Sequence, residues 1–169
     1  MAAPLQRPVI DTAEFARKGL EIHDTIALSQ FPRLQEMLAT PEGKLDYALK
    51  GSVSAEGKPH LQLMLQGVIP LMCQRCLESL DFELDASADF ILVPDESMIP
   101  LQEDEKDTED YLVANPRTQV IELLEDELLL ALPYAPKHAD EQCAAKSGVQ
   151  TSNEKQSPFA ILRGLKTKD

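Results

Sequence analysis

The residues of this chain with the clearest capacity for chemistry are Cys73 and Cys76, which enclose Gln74 and Arg75. A tight turn at this spacing brings both thiolates within bonding distance of one metal ion, while nearby backbone amides stabilise the charge on the sulfurs. The motif therefore supplies half of a tetrahedral metal site.

A second pair of possible ligands, an H-x4-C pair, follows a break that Pro133 and Pro136 make in the chain. A C-x2-C pair together with an H-x4-C pair gives four ligands suited to zinc, although the second spacing departs from that of common zinc fingers. We predict a zinc site whose ligands are Cys73, Cys76, His138 and Cys143.

Other interpretations of the cysteines stay open. They could be three unligated thiols, or a redox pair, although a thioredoxin-like C-x-x-C begins a helix in a βαβ unit and the flanks here alternate like strands. A nucleophilic pair of Cys73 and His138 would need an oxyanion hole, which the sequence does not identify. The chain also lacks a phosphate loop, a serine nucleophile elbow and a Gly-rich dinucleotide turn, so we predict no enzymatic activity.

The segments around the two cysteines alternate apolar and polar residues with a period of two, which is typical of half-buried strands. This pattern covers residues 45–53, 61–71 and 80–92. The cysteine motif is therefore predicted at the tip of an antiparallel hairpin. Arg75 would point outward there, either to pair with a carboxylate such as Glu78 or to contact RNA or a partner.

Helical patterns flank these strands. The main one lies at residues 121–132, and its apolar face is predicted to pack across the sheet. A capping box at 11–14 predicts a short first helix, and Ser29 is expected to cap a second one that carries Phe31, Leu34 and Leu38. The main helix also carries a group of carboxylates that we interpret as its solvated side, with Mg²⁺ binding as the alternative: Glu122, Glu125, Asp126 and Glu127.

These patterns predict an α+β fold, in which an antiparallel sheet of long hairpin strands is packed by one main helix, with short N- and C-terminal helices. We expect a single domain at residues 1–143 with the C-x2-C motif at its hairpin tip, a polar linker at 144–156 and a C-terminal helical tail at 157–169. Phe159 and Leu162 lie on the apolar side of that tail and are predicted to bind a partner.

The acidity of the chain is concentrated in one region. The formal net charge is -13, and residues 77–136 carry 17 acidic residues against Lys106 and Arg117, a local balance of -15. Such a field repels phosphate backbones, whose binding depends on Lys and Arg. The acidic positions of the strand after the cysteines, Asp81, Glu83 and Asp85, are therefore predicted to attract a basic protein.

The apolar runs are far shorter than the roughly 20 residues that a membrane-spanning helix needs, so we predict no membrane contact. The chain starts without an apolar signal segment, and its three cysteines cannot all pair with one another. Both observations favour a reducing cytoplasm.

The stretch from Leu71 to Leu77 resembles the C-x-R-C-L signature of the YceD family, bacterial proteins described as large ribosomal RNA subunit accumulation proteins. Further stretches agree with this family in the same order: residues 125–133, His138 with Cys143, and residues 157–160 followed by Leu165 and Lys166. The resemblance spans nearly the whole chain.

This resemblance implies an accessory role in the production of the large ribosomal subunit. Combined with the acidic field, it leads us to expect a basic ribosomal protein or assembly factor as the partner, with direct rRNA contact limited to Arg75 or the basic tail and no small-molecule substrate. The alternative is a zinc-stabilised regulatory adaptor unrelated to ribosomes.

Overall fold

The computed structural model describes residues 8–100 and 110–139 together with Cys143. Its elements, in chain order, are β1 (Val9–Ile10), α1 (Thr12–Arg17), β2 (Glu21–Ala27), β3 (Lys44–Val53), β4 (Pro59–Met72), β5 (Ser79–Val93), β6 (Asp110–Val113), β7 (Thr118–Gln119) and α2 (Val120–Ala131). Short 3-10 helices lie at Leu28–Gln30, Leu34–Met37 and Glu96–Met98.

The centre of the fold is a five-stranded sheet with the order β2-β3-β4-β5-β6. Strands β2 to β5 form an antiparallel meander, and the pairing of β4 with β5 runs from His60 opposite Ile91 to Met72 opposite Ser79. The fold is α+β, as predicted, and the long hairpin with the cysteines at its tip is confirmed.

The expectation of a wholly antiparallel sheet is wrong at one edge, because β6 runs parallel to β5. A parallel neighbour needs a crossover connection of a dozen or more residues, and residues 94–109 supply one of that length. Alternation of side chains indicates a strand but not its direction, so the sequence pattern alone could not reveal this.

The two faces of the sheet differ in polarity. Along β3 and β4, Leu45, Leu49, Leu61, Leu63 and Leu65 are buried, and we call this side the inner face. It shares one hydrophobic core with Phe15 of α1 and with Leu124 and Leu128 of α2. The opposite, outer face exposes alternate residues of β3, β4 and β5: Asp46, Lys50, Gln62, Met64, Gln66, Val68, Asp81, Glu83, Asp85 and Asp89.

Helix α1 begins at the predicted cap, where the Asp11 carboxylate accepts a hydrogen bond of 2.9 Å from the Glu14 amide. It rests on β3 at Gly51, where an added Cβ would lie only 2.5 Å from the Phe15 carbonyl oxygen. Gly51 is therefore required by the close approach of two backbones.

The helix predicted to start at Ser29 is not formed. Phe31, Leu34 and Leu38 are buried as expected, but the segment forms two separate 3-10 turns, Leu28–Gln30 and Leu34–Met37, and Phe31 and Leu38 are the extended residues that follow them. Pro32 stands between the two turns and disfavours the helical conformation of the residue before it, and Phe31 is accordingly extended, with φ -91° and ψ 102°.

The carboxylates of α2 are not all solvated, which corrects the sequence interpretation at Glu125. This residue is only 3% exposed, and its carboxylate accepts hydrogen bonds from the Arg33 amide at 2.7 Å and from Arg33 Nε at 2.9 Å. Arg33 Nη2 also bonds Asp126 at 2.6 Å. The clamp ties α2 to the segment between β2 and β3.

The proposed linker at 144–156 and tail at 157–169 lie outside the described residues, so the division into domains stays a prediction. Among the helices of the described residues, none combines the length and apolar character that crossing a bilayer requires.

Candidate metal centre

The turn between β4 and β5 is closed by hydrogen bonds of its own backbone. The Cys73 amide donates to the Glu78 carbonyl at 2.9 Å, and the Leu77 amide donates to the Cys73 carbonyl at 2.9 Å. Leu77 adopts φ 60°, a left-handed conformation that is uncommon for a residue other than glycine. This reversal brings the Cys73 and Cys76 side chains into the same site.

The chain that follows α2 is attached to this turn at two points. The Gln74 amide donates to the Pro136 carbonyl at 2.8 Å, and Arg75 Nη2 donates to the His138 carbonyl at 3.1 Å. Arg75 is exposed, as predicted, but it also secures the His138 segment against the hairpin tip. The sequence analysis did not identify this second role.

The four predicted ligands converge. Cys143 Sγ lies 3.7 Å from Cys73 Sγ, 3.7 Å from Cys76 Sγ and 3.5 Å from His138 Nδ1. Cys76 Sγ lies 3.4 Å from the same nitrogen, and all four ligand atoms are within 4.8 Å of one another.

These distances match the edges of a tetrahedron of zinc ligands. With zinc about 2.3 Å from sulfur and about 2.0–2.1 Å from nitrogen, tetrahedral geometry places two sulfurs about 3.8 Å apart and sulfur and nitrogen about 3.6 Å apart. The chemistry of the donors agrees, because three thiolates and one imidazole suit zinc better than magnesium or calcium. The residues present therefore fit a zinc ion.

The orientation of the imidazole fits the same role. His138 Nε2 lies 2.9 Å from the carbonyl oxygen of Ser79. A carbonyl oxygen only accepts hydrogen bonds, so Nε2 carries a proton, and Nδ1 faces the sulfurs, where its lone pair would bind a metal ion. Metal-binding histidines commonly have such an outer partner, which fixes the tautomer and the angle of the ring.

The electrostatics of the turn favour a thiolate at Cys73. Burial opposes its ionisation, but hydrogen bonds from the backbone amides of Cys76, Arg75 and His138 outweigh this and lower the pKa of the thiol to about 5. For Cys76, a hydrogen bond from the Glu78 amide lowers the pKa, but burial and the neighbouring sulfurs give a net increase. Hydrogen bonds to the sulfurs of Cys73 and Cys143 raise the pKa of His138.

The site is largely closed to solvent. Cys73 is fully buried and Cys143 is 4% exposed, while Cys76 and His138 are half-buried. Four protein ligands complete a tetrahedral shell and leave no position for a substrate or a reactive water, which is the arrangement of structural zinc sites. The arrangement can hold the hairpin tip and the segment after α2 together.

The predicted partner-binding residues divide into two groups. Asp81, Glu83 and Asp85 are all exposed on the outer face of β5, as their alternation indicated, and Asp85 accepts a hydrogen bond of 3.0 Å from Gln66. Phe159 and Leu162 lie outside the described residues.

Sequence reasoning missed two contributors. Arg33 stands alone in an irregular segment, and no periodic pattern links it to Glu125 across the 92 positions between them. The Ser79 carbonyl that orients His138 is a backbone group, so residue type carries no signal for it. The start of a strand directly after a C-x2-C turn was the available clue.

The chain was compared with known proteins. The model of the family described as large ribosomal RNA subunit accumulation protein YceD matches residues 61–166, which include all four predicted ligands. A curated relative, the large ribosomal RNA subunit accumulation protein YceD of Haemophilus influenzae, is 26% identical over 168 residues, which cover 94% of this chain and 95% of the relative. No solved structure matches the chain.

Proposed function

This chain belongs to the YceD family, and on that basis we propose that it is an accessory factor for the accumulation of large-subunit ribosomal RNA. The observation that carries the proposal is the match over residues 61–166, supported by the similarity to the large ribosomal RNA subunit accumulation protein of Haemophilus influenzae. The role is non-catalytic and belongs in the cytoplasm, where ribosomal subunits are assembled.

The partner that suits the charge of the molecule is a basic ribosomal protein or assembly factor. Asp81, Glu83 and Asp85 project from one face of β5, and neither Asp81 nor Glu83 has an ion-pair partner among the described residues. Unpaired carboxylates attract Lys and Arg and repel phosphate. Direct contact with rRNA is therefore limited to Arg75 or the basic tail.

The metal centre serves this role by holding the fold. Cys73, Cys76, His138 and Cys143 would hold one zinc ion, which supplies a closed, non-reactive cross-link between the hairpin tip and the chain after α2. The strand that displays the acidic residues, β5, begins directly after that tip. A rigid metal-clamped hairpin presents its charges in a fixed arrangement, which lowers the entropic cost of binding.

The closed site also fits a second function, that of a zinc-stabilised regulatory adaptor unrelated to ribosomes. The two functions predict association with different complexes in the cell. An accessory factor for the large subunit should cosediment with its precursors on a gradient, whereas an unrelated adaptor should remain near the top.

The direct experiment is deletion of the gene in its native host. We expect the ratio of large-subunit to small-subunit rRNA to fall, with recovery on expression of the wild-type chain. An unchanged ratio, under cold or slow growth as well, contradicts the proposed function. Affinity capture from lysate before and after nuclease treatment then separates partners, because a protein partner survives the nuclease and an RNA-tethered one does not.

A further inference from the structure

The outer face of the sheet offers side chains rather than backbone groups. Around Met64 and Gln66, β4 pairs with β3 on one side and with β5 on the other, so its amides and carbonyls there are occupied by the ladders. A partner cannot extend the sheet at β4 and must contact projecting side chains there. A surface of this kind fits the side of a helix.

Two exposed apolar side chains lie along β4 in the middle of that face, with the polar Gln66 between them, and we call this pair the apolar stripe. Met64 is 42% exposed and Val68 is 48% exposed, and four residues on a strand separate them by about 13 Å. Beside Met64 the surface forms an open cavity of about 430 Å³, lined in part by Thr25, Asp46 and Ala48. Two apolar contacts at this distance suit apolar side chains about two turns apart on a helix.

Carboxylates flank the stripe on both sides. Glu83 lies opposite Val68 on β5, Asp85 lies opposite Gln66, and Asp46 lies opposite Gln66 on β3. Two of these carboxylates accept hydrogen bonds from neutral side chains. Thr25 donates to Asp46 at 2.8 Å, and Gln66 donates to Asp85 at 3.0 Å. Such bonds orient a carboxylate and leave its negative charge in place.

Two cations of β3 project on the same face. Lys50 Nζ lies 3.0 Å from a Glu21 carboxylate oxygen, whereas Lys44 is exposed two positions from Asp46. The negative charge is therefore concentrated on the β5 side of the apolar centre, and this arrangement complements an amphipathic segment that carries Lys or Arg beside its apolar side. A nucleic acid would bring negative phosphates toward these carboxylates, and it offers no comparable apolar strip.

We infer that the outer face binds an amphipathic helix rich in Lys or Arg, supplied by the partner protein, with its apolar residues on Met64 and Val68 and its cations facing Asp46, Glu83 and Asp85. The inference rests on the proposed function and assigns its docking surface. The acidic residues alone would attract any cation, whereas the stripe selects a helix whose apolar and basic residues are segregated.

The binding test uses the full chain, labelled at its methionine methyl groups, and two synthetic peptides of Leu and Lys with one composition. One peptide places Leu at helical spacing, and the other is scrambled. We expect the amphipathic peptide to bind more tightly and to shift the NMR signal of Met64 but not that of Met98. Equal binding of the two peptides, or an unmoved Met64 signal, overturns the inference.

The matched variants are M64S/V68S and, as a control of similar exposure elsewhere, M98S/V53S. The first should lose about tenfold in affinity for the amphipathic peptide, and the second should bind like the wild type. If M64S/V68S binds like the wild type while E83K/D85K loses binding, the docking surface is wrong although a basic partner remains.

The same variants separate this inference from the proposed function in cells. If deletion lowers the rRNA ratio, M64S/V68S should fail to restore it and M98S/V53S should restore it. Full restoration by M64S/V68S overturns the docking surface alone. An unchanged ratio on deletion overturns the proposed function, and the peptide titration still decides whether the surface binds.

Discussion

The Sγ atoms of Cys73 and Cys143 lie 3.7 Å apart, although 70 positions separate these residues in the chain. One cysteine sits in the turn between β4 and β5, and the other follows α2. A metal ion shared by them would close a long loop across the fold and would thereby stabilise it.

Zinc content is the first prediction. Protein purified under reducing conditions and never exposed to chelator should contain about one zinc per chain by elemental analysis. C143S should lower both zinc content and melting temperature, because binding free energy is part of folding free energy. S79A is the matched control, since His138 contacts only the backbone carbonyl of that residue. Metal-free wild-type protein would contradict the prediction.

The second prediction concerns the backbone of the turn between β4 and β5. Leu77 is 71% exposed and holds φ 60°, a conformation that costs most residues about 1–2 kcal/mol and costs glycine almost nothing. L77G should therefore keep or slightly raise the free energy of unfolding, whereas L77V should lower it and weaken zinc retention. Urea denaturation and zinc release to a chelator measure the two effects. Loss of stability in L77G larger than in L77V would refute the argument.

The third prediction concerns the clamp between Glu125 and Arg33. E125Q should lower the free energy of unfolding by about 1–3 kcal/mol, because a buried charge-assisted pair becomes a weaker neutral contact. R33A should also destabilise the fold, because it leaves the Glu125 carboxylate with only the Arg33 amide. E122Q, an exposed carboxylate on the same helix, should stay within about 0.5 kcal/mol of wild type. Equal effects of E125Q and E122Q in urea would exclude a stabilising clamp.

The fourth prediction tests the contact between α1 and β3. G51A places a methyl group 2.5 Å from the Phe15 carbonyl oxygen, and backbone cannot yield as a side chain can. We expect a loss of about 1–3 kcal/mol and faster hydrogen exchange in α1. The neighbouring exposed residue gives a control, S52A, which should be near neutral. Wild-type exchange rates in G51A would mean that α1 is not held by this contact.

The fifth prediction concerns association with a basic partner. Reversal of the β5 charges in D81K/E83K/D85K should slow association by about tenfold or more at low salt. Added salt should reduce the difference, because exposed charges are screened beyond about 8 Å at physiological ionic strength. F159A should mainly speed dissociation, since it removes an apolar contact. Stopped-flow mixing with the captured partner measures both rates.

The control for this experiment carries the same change in net charge at E36K/E42K/E122K, positions that are exposed but lie outside β5. It should retain most of the association rate. If both triple variants slow association equally, the effect reflects net charge, and the β5 face has no special role.

Much of the fold could be predicted because local pattern and tertiary environment agree there. The period of two along β3, β4 and β5 reflects one buried and one wetted face, and the burial of Leu61, Leu63 and Leu65 with exposure of Gln62 follows directly. Residue type and spacing also identified the four side chains that cluster, since cysteine and histidine at such spacings are common ligands of zinc.

The failures have physical causes that no local pattern carries. The direction of β6 depends on the path of a crossover. Around Pro32, the helical spacing correctly identified the buried residues, but the proline prevented the continuous helix that the spacing predicted. Glu125 is buried because the guanidinium of Arg33, from a distant segment, pairs with its carboxylate. The sequence around Glu125 carries no sign of this partner.

The sequence by itself determined which residues could bind metal, which strand positions are exposed or buried, and where the acidic residues are concentrated. These properties depend on residue chemistry and short-range periodicity. Tertiary structure alone decided that Cys143 reaches Cys73, that Ser79 sets the tautomer of His138, and that Met64 and Val68 lie on β4 next to the strand that carries the β5 carboxylates. Those relations join residues far apart in the chain. They exist only once burial of the shared core has fixed the register of β4 against its neighbours.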